Sequence, residues 1–252
     1  MTTSKPLVVL DVDDTLYLER DYVRSGFNAV GEHLEREYGV EGFATEAWTL
    51  FNDGVRGNTF DRALERLDFR GADVEELVEV YRHHKPGISL LPDAQAFIQA
   101  VSGHVHLAVV TDGPVISQRN KIEALGLEKW ISKFVVTSER GAEWHKPAPL
   151  AFRHLQEQFR KNHDQCVYVA DNPTKDFEGP LALGWGAIRI NRPGALHEQL
   201  VDPLGVASIR TLIDLVEWFV NGLEAADPEV ATSMPTFIDR EAKDTAEEVT
   251  FK

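Results

Sequence analysis

Short apolar runs alternate with amphipathic stretches along the chain, and this pattern predicts an α/β fold. The runs are typical of strands buried on both faces and cover residues 7 to 10, 105 to 110, 134 to 136, 167 to 170 and 187 to 190. Stretches with helical spacing separate the later runs and end near glycines at 126 and 184. Because strands that alternate with helices pair in parallel, the pattern predicts a parallel sheet with helices packed on it.

The segment between the first two runs has helical periodicity throughout. Apolar residues three and four apart predict a helix from residue 23 to residue 38, ended by Gly39. Further helices are predicted around residues 48 to 51, 60 to 67 and 74 to 81, with Asn58 as a candidate N-cap of the second of these. No strand pattern interrupts them. We therefore predict an all-helical unit over residues 18 to 87, inserted into a core formed by residues 1 to 17 and 88 to 223.

The amino-acid composition argues against some classes of binding partner. The 252-residue chain has a formal net charge of -15 at pH 7, which argues against nonspecific binding to nucleic acid or anionic membranes, since both need clustered Lys and Arg. Eight acidic residues against three basic ones after Gly222 predict a loosely docked acidic tail over residues 224 to 252. The single Cys166 excludes an internal disulfide, and no signal-peptide core or membrane span precedes Asp11. We expect a cytoplasmic protein.

Carboxylates follow the first strand directly. Asp11 and Asp13 lie where ligands bind in open parallel sheets, at the carboxyl end of a strand. Two crowded acids are stable if a divalent cation neutralises them or if one holds a proton. The pair therefore permits attack by Asp11 on phosphorus, with Asp13 protonating the leaving oxygen and later deprotonating water. An ordinary turn or helix N-cap is the alternative interpretation.

Two later segments offer groups that could hold a phosphate. Thr111 and Asp112 begin the turn after the second strand, where a hydroxyl and a flexible backbone can donate hydrogen bonds. Lys146 precedes a predicted helix, where its ammonium could balance excess acid and bind a phosphate oxygen. A plain strand-to-helix turn and a surface lysine are the alternatives.

Asp171 and Asp176 lie five residues apart around the turn after the fourth strand. Mg²⁺ usually takes a few carboxylates and keeps several waters, so Asp11, Asp171 and Asp176 would suffice as protein ligands. Asp176 could instead cap the following helix.

This ordered set of residues resembles the four motifs of the haloacid dehalogenase-like (HAD) hydrolase superfamily. The matching residues are the Asp-Val-Asp-Asp-Thr stretch at 11 to 15, Thr111, Lys146, and Asp171 with Asp176. The resemblance implies a three-layer Rossmann-like α/β core with an inserted helical cap of the C1 type. It also implies Asp11 as nucleophile and Asp13 as general acid/base, with the Asp13 carbonyl joining the Mg²⁺ ligands Asp171 and Asp176. Ala170 departs from the glycine common before that acid.

Details of the first motif separate the activities of this superfamily. Dehalogenases lack the acid at the position of Asp13, and Thr15 resembles phosphatases more than phosphomutases. We therefore predict a Mg²⁺-dependent phosphatase acting on a small phosphorylated metabolite, with a sugar phosphate as first guess and a nucleotide as second. A phosphoryl transferase or mutase, and a non-catalytic binding or scaffold member of the fold, are the alternatives. Arg24, Arg56 and Asn58 are candidate specificity residues of the cap. The sequence leaves the oligomeric state open.

Overall fold

The computed structural model describes residues 5–224, so the predicted acidic tail from residue 225 onward lies outside the described residues. The strands are β1 (Leu7–Leu10), β2 (His106–Thr111), β3 (Lys133–Val136), β4 (Cys166–Ala170), β5 (Gly186–Ile190) and β6 (Ala207–Ile209). The α-helices are α1 (Glu19–Tyr38), α2 (Phe43–Asn52), α3 (Thr59–Arg66), α4 (Val74–His83), α5 (Pro92–Val101), α6 (Val115–Ala124), α7 (Leu150–Phe159), α8 (Glu178–Ala182) and α9 (Val216–Glu224). Within residues 5–224, no helix is both long and apolar enough to cross a membrane.

The six strands form one parallel sheet in the order β3-β2-β1-β4-β5-β6. β1 lies near the centre, where Leu10 is in register with Val109 of β2 and Val169 of β4. All four β1 side chains are fully buried, as the continuous apolar run predicts. The predicted α/β class with a parallel sheet is confirmed. The short edge strand β6 was not predicted, because two of its three residues are only partly buried, the third is exposed, and they carry no strong pattern.

Helices cover both faces of the sheet. One face packs against α5, α6 and α9 through residues such as Phe97, Ile122 and Phe219. The other packs against α7 and the segment around α8 through Phe152 and Phe177. These three layers place the carboxyl ends of the strands at one open edge.

Helices α1 to α4, which we call the cap, follow β1 and have a hydrophobic cluster of their own. Val30, Phe43 and Leu77 are fully buried in it. The predicted end of α1 is confirmed: Gly39 has a φ of 68°, a conformation that glycine adopts without steric cost. The cap thus has its own apolar core beside the sheet.

Hydrogen bonds join the cap to the core between α4 and α6. Ser117 Oγ donates to the carbonyl of Arg82 at 3.3 Å. Asn120 Nδ2 donates to the carbonyl of His84 at 3.0 Å. These contacts hold the cap over the carboxyl edge of the sheet.

Candidate active site

A cleft of about 460 Å³ lies between the carboxyl edge of the sheet and the cap. Because β1, β2 and β4 are neighbours, the residues that follow them, Asp11, Asp112 and Asp171, line this cleft together. Asp13, Lys121 and Lys175 add further acidic and basic groups on the core side. The sheet order therefore brings distant parts of the sequence to one polar surface, which we call the floor.

Lys146 lies behind the floor, next to Asp11, with its side chain fully buried. Its Nζ is 2.9 Å from Asp11 Oδ2 and 2.7 Å from Asp176 Oδ1. It also donates to the Tyr168 hydroxyl at 3.1 Å. Burial alone would lower the pKa of Lys146, but Asp11 and Asp176 raise it well above its ordinary value. The lysine is therefore a buried cation that forms ion pairs with two carboxylates, and not the surface lysine of the alternative interpretation.

Three carboxylates of the floor could bind a metal ion. Asp11, Asp171 and Asp176 each offer an oxygen, and these oxygens lie within 4.8 Å of one another. Asp171 Oδ2 is buried without a hydrogen-bond partner. Burial and the charges of Asp11 and Asp176 raise the pKa of Asp171 to about 9. Hard oxygen ligands with uncompensated negative charge fit a divalent cation such as Mg²⁺.

Asp176 does not cap α8. Its Oδ2 accepts a hydrogen bond from the backbone N–H of Asn172 at 2.8 Å, and α8 begins at Glu178 with no side-chain cap. Asp176 therefore closes the turn after β4 and holds Asp171 near the other acids.

Asp13 is held by three side chains that sequence reasoning missed. Lys121 Nζ is 2.7 Å from Asp13 Oδ1, and Gln118 Nε2 donates to Oδ2 at 3.2 Å. The Tyr17 hydroxyl donates to Oδ1 as well. Burial by itself would raise the pKa of Asp13, but Lys121, Tyr17 and Gln118 outweigh it and lower that pKa.

A signal for two of these partners was present in the sequence. Gln118 and Lys121 are three residues apart on α6 and so share one face of the helix that follows β2. Gly113, at φ +136°, leaves room for this arrangement, because a Cβ there would lie 2.7 Å from Gln118 Nε2. The identity of their partner, Asp13, could not be inferred, because it lies more than a hundred residues away.

Thr111 and Asp112 have partners within the protein. The Thr111 hydroxyl donates to Gln118 Oε1 at 3.0 Å, and Thr111 is fully buried. Asp112 Oδ1 accepts from Thr137 Oγ1 at 2.6 Å and from the backbone N–H of Lys146 at 3.4 Å. Asp112 thus holds the Lys146 loop in place. The phosphate-holding roles of Thr111, Asp112 and Lys146 stay predictions.

A comparison of the sequence with models of protein families identifies the family of this chain. The model of the haloacid dehalogenase-like hydrolases matches residues 5–184, which is more than half of the chain. The chain belongs to this family.

Curated relatives and solved structures of HAD-like proteins match over most of their length. A phosphoserine phosphatase from Thermus thermophilus is 28% identical, over 74% of this chain and 88% of the relative. A glyceraldehyde 3-phosphate phosphatase from Methanopyrus kandleri is 30% identical, over 73% of this chain and 83% of the relative. The structure of a HAD phosphatase from Thermococcus onnurineus has a TM-score of 0.55 at 25% identity, covering 84% of this chain and 97% of that one.

The three predicted specificity residues of this HAD-like hydrolase differ in position. Arg56 lines the cleft. Arg24 places its guanidinium 5.5 Å from the centre of the Trp48 ring, and Asn58 occupies the N-cap position of α3 without a side-chain cap hydrogen bond. Arg24 and Asn58 are not among the described residues that line the cleft. Their role in specificity stays a prediction.

Proposed function

We propose that this HAD-like hydrolase is a Mg²⁺-dependent phosphatase that cleaves a small phosphorylated metabolite through an aspartyl-phosphate. The observation that carries the proposal is the floor itself: Asp11 lies beside the Lys146 ammonium and two further carboxylates, at a cleft whose other side is formed by the cap. The relatives named as phosphatases for phosphoserine and for glyceraldehyde 3-phosphate support the same reaction class.

In the first step, a carboxylate oxygen of Asp11 attacks the phosphorus and forms an acyl-phosphate while the ester P–O bond breaks. Asp13 gives its proton to the departing oxygen, which leaves as an alcohol. In the second step, ionised Asp13 takes a proton from water, and this water attacks the phosphorus. Inorganic phosphate leaves and the Asp11 carboxylate is restored.

Asp13 must be protonated for the first step and ionised for the second. Lys121 and the hydrogen bonds from Tyr17 and Gln118 favour the ionised form needed for the second step. A phosphate dianion beside Asp13 acts in the opposite direction, because a nearby negative charge raises the pKa of a carboxyl group. Arrival of the substrate dianion therefore favours the protonated Asp13 that the first step needs, and transfer of this proton to the leaving oxygen leaves Asp13 ionised for the second step.

The carboxylates of Asp11, Asp171 and Asp176, with the backbone carbonyl of Asp13, would hold Mg²⁺. When bound, the ion would supply positive charge that balances the acids and the phosphoryl oxygens. Lys146 contributes a second, fixed positive charge from the protein. The cap covers this floor and keeps bulk water from the acyl-phosphate.

The test is release of phosphate from p-nitrophenyl phosphate, measured after exhaustive EDTA treatment and again after adding Mg²⁺. We expect activity to fall to background and to return with Mg²⁺, whereas excess Ca²⁺ inhibits, because its larger and looser shell places the nucleophile poorly. Full activity in the chelated protein would contradict the metal assignment. Absence of phosphate release under every metal condition would contradict the phosphatase function.

A further inference from the structure

The cap side of the cleft differs in chemistry from the floor. Its surface is formed mostly by aromatic and aliphatic side chains, and we call this surface the apolar wall. The wall includes six aromatic and aliphatic side chains: Phe27, Phe51, Phe60, Val74, Val78 and Tyr81. They come from all four cap helices, so the whole cap contributes to this surface.

The rings of the wall support one another. The ring centre of Phe27 lies 6.3 Å from that of Phe51 and 6.0 Å from that of Phe60, both nearly edge-to-face. Phe60 and Tyr81 meet at 5.7 Å in the same way. Such packing holds the side chains in place and leaves hydrocarbon facing the cleft.

Polar side chains at the edge of the wall are partly engaged elsewhere. Arg56 Nη1 donates to the carbonyls of Phe51 and Val55 at 2.7 and 2.8 Å, and Arg82 forms an ion pair with Glu79 at 3.1 Å. Thr59 Oγ1 donates to the Val55 carbonyl at 3.4 Å. A sugar ring needs hydrogen-bond partners for several adjacent hydroxyls, and hydroxyls buried without partners cost free energy.

Glu19, at the start of α1, is an acidic side chain of the cap that lines the cleft. Its backbone N–H donates to Asp14 Oδ1 at 2.8 Å. Burial and the charge of Asp13 raise the pKa of Glu19 to about 7. A carboxyl group in this position disfavours a second anionic group on the substrate.

We propose that the apolar wall selects phosphate monoesters whose alcohol part is a compact apolar group of aromatic size. The floor binds the phosphate and the wall packs against the organic group. This inference rests on the proposed function and names the substrate class of the same site. It disfavours the sugar phosphate and the nucleotide of the sequence analysis, because their hydroxyls would face hydrocarbon.

The test compares benzyl phosphate, glucose 6-phosphate and uridine 5′-monophosphate on the full-length Mg²⁺-loaded protein. All three are esters of primary alcohols, so their demands on Asp13 as an acid are similar. We expect kcat/KM for benzyl phosphate to exceed the other two values by roughly 30-fold or more, because the ring loses contact with water against the wall whereas ribose and glucose hydroxyls lose hydrogen bonds. Equal values, or a higher value for glucose 6-phosphate or the nucleotide, would overturn the proposal.

Acetyl phosphate serves as the reference substrate, because it has almost no organic group for the wall to contact. Turnover of acetyl phosphate without a preference for benzyl phosphate would refute the apolar wall alone. Absence of turnover with acetyl phosphate, p-nitrophenyl phosphate and the three esters would refute the proposed function, and this inference with it. The two failures are therefore distinguishable.

Two matched variants test whether contact with the wall causes the preference for benzyl phosphate. Val78→Thr replaces a methyl group of the wall with a hydroxyl of similar size, whereas Val80→Thr makes the same change on the same helix at a half-buried position outside the cleft lining. In Val78→Thr we expect the ratio of kcat/KM for benzyl phosphate to that for acetyl phosphate to fall roughly tenfold, through KM. In Val80→Thr the ratio should stay within about twofold of the parent value. Equal ratios in the two variants would contradict a contact between the wall and the substrate.

Discussion

The floor and the apolar wall face each other across one cleft but consist of chemically opposite side chains, charged on the floor and apolar on the wall. The floor gathers like charges in a buried place, so the pKa of Asp11 rises to about 6 and that of Asp171 to about 9, chiefly through burial. The wall consists of hydrocarbon packed on hydrocarbon, with Phe27 and Phe51 almost fully buried. The floor therefore opposes folding in the absence of a cation, whereas the wall and the cap interior behind it favour folding.

The difference indicates how the two surfaces divide the work of the enzyme. In the proposed mechanism, groups on the floor act together on a single phosphoryl group, and their chemistry is independent of the organic part of the substrate. The wall has no acids or bases of the kind that phosphoryl transfer needs, so its side chains can affect only which substrate binds. Changes to the floor should therefore alter rate, and changes to the wall and the cap interior should alter specificity or stability.

The largest expected effect is at Asp11. Asp11→Asn removes the nucleophilic oxygen, because an amide does not form the acyl-phosphate at a useful rate, and turnover should fall by roughly 10³-fold or more. The measurement is steady-state phosphate release from p-nitrophenyl phosphate, with circular dichroism to verify the fold. The matched control is Asp61→Asn, which removes an exposed acid at the edge of the cleft and should retain most activity. Activity of Asp11→Asn within tenfold of the parent protein would refute the nucleophile assignment.

A second prediction separates Asp13 from Asp11. In Asp13→Asn the leaving oxygen loses its acid and the attacking water its base, each worth about 10² to 10⁴ in rate. p-Nitrophenolate leaves without much protonation, so formation of the acyl-phosphate from p-nitrophenyl phosphate should slow less than formation from an alkyl phosphate.

Rapid-quench mass spectrometry checks this prediction. Hydrolysis of the acyl-phosphate should become limiting in Asp13→Asn, with a burst of nitrophenol and an added phosphoryl group on the peptide that contains Asp11. An equal slowing of both substrates without a trapped phosphoenzyme would make Asp13 a structural residue.

A substitution in the interior of the cap should lower the stability of the protein. Leu77→Ala removes a fully buried side chain of the cap cluster and should lower the free energy of unfolding by about 2 to 5 kcal/mol. Leu181→Ala, at a side chain that is 38% exposed, makes the same chemical change and should cost well under about 1 kcal/mol. Urea unfolding at equilibrium measures both. Similar losses in the two variants would show that the cap cluster adds little to stability.

The smallest expected effect is a pH dependence of stability that the metal removes. The pKa of Asp171 is about 9 in the folded chain against an ordinary value of 3.8, so the folded state binds more protons than the unfolded state between these values. Stability of the chelated protein should therefore fall as pH rises through this window. Glu19 and Asp14, with pKa values of about 7 and 6, act in the same direction at lower pH. The buried Cys166 thiol, whose pKa burial raises to about 12, acts in the same direction as pH approaches 9, so the contribution of Asp171 is the part of the slope that Asp171→Asn removes.

Thermal melts in EDTA test this expectation. The melting temperature should fall by roughly 2 to 6 °C between pH 7.5 and pH 9, and Mg²⁺ should raise it and flatten the slope. Asp171→Asn in EDTA should also have a flatter slope, because the titrating group is gone. An unchanged slope in this variant would assign the pH dependence to another group.

Much of the fold could be predicted because it depends on local pattern. Buried strands need apolar residues at every position, so β1, β2 and β4 were recognisable from short runs, and Gly39 marked the end of α1. Acids directly after such runs, as at Asp11 and Asp171, indicated the edge where a site forms. The strand β6 was missed, because three residues, of which none is fully buried, carry too little pattern.

The sequence alone determined which polar residues follow the strands and therefore which chemistry the carboxyl edge of a parallel sheet can perform. Only the tertiary structure decided how these residues pair: Lys146 with Asp11 and Asp176, and Lys121 with Asp13. It also decided that four separate helices place hydrocarbon opposite the phosphate chemistry. The physical reason is the separation along the chain of the residues that interact. Periodicity and turn chemistry depend on near neighbours, so the sequence shows them directly. Ion pairs and cleft walls depend on contacts between segments tens to more than a hundred residues apart, and these contacts exist only after the chain has folded.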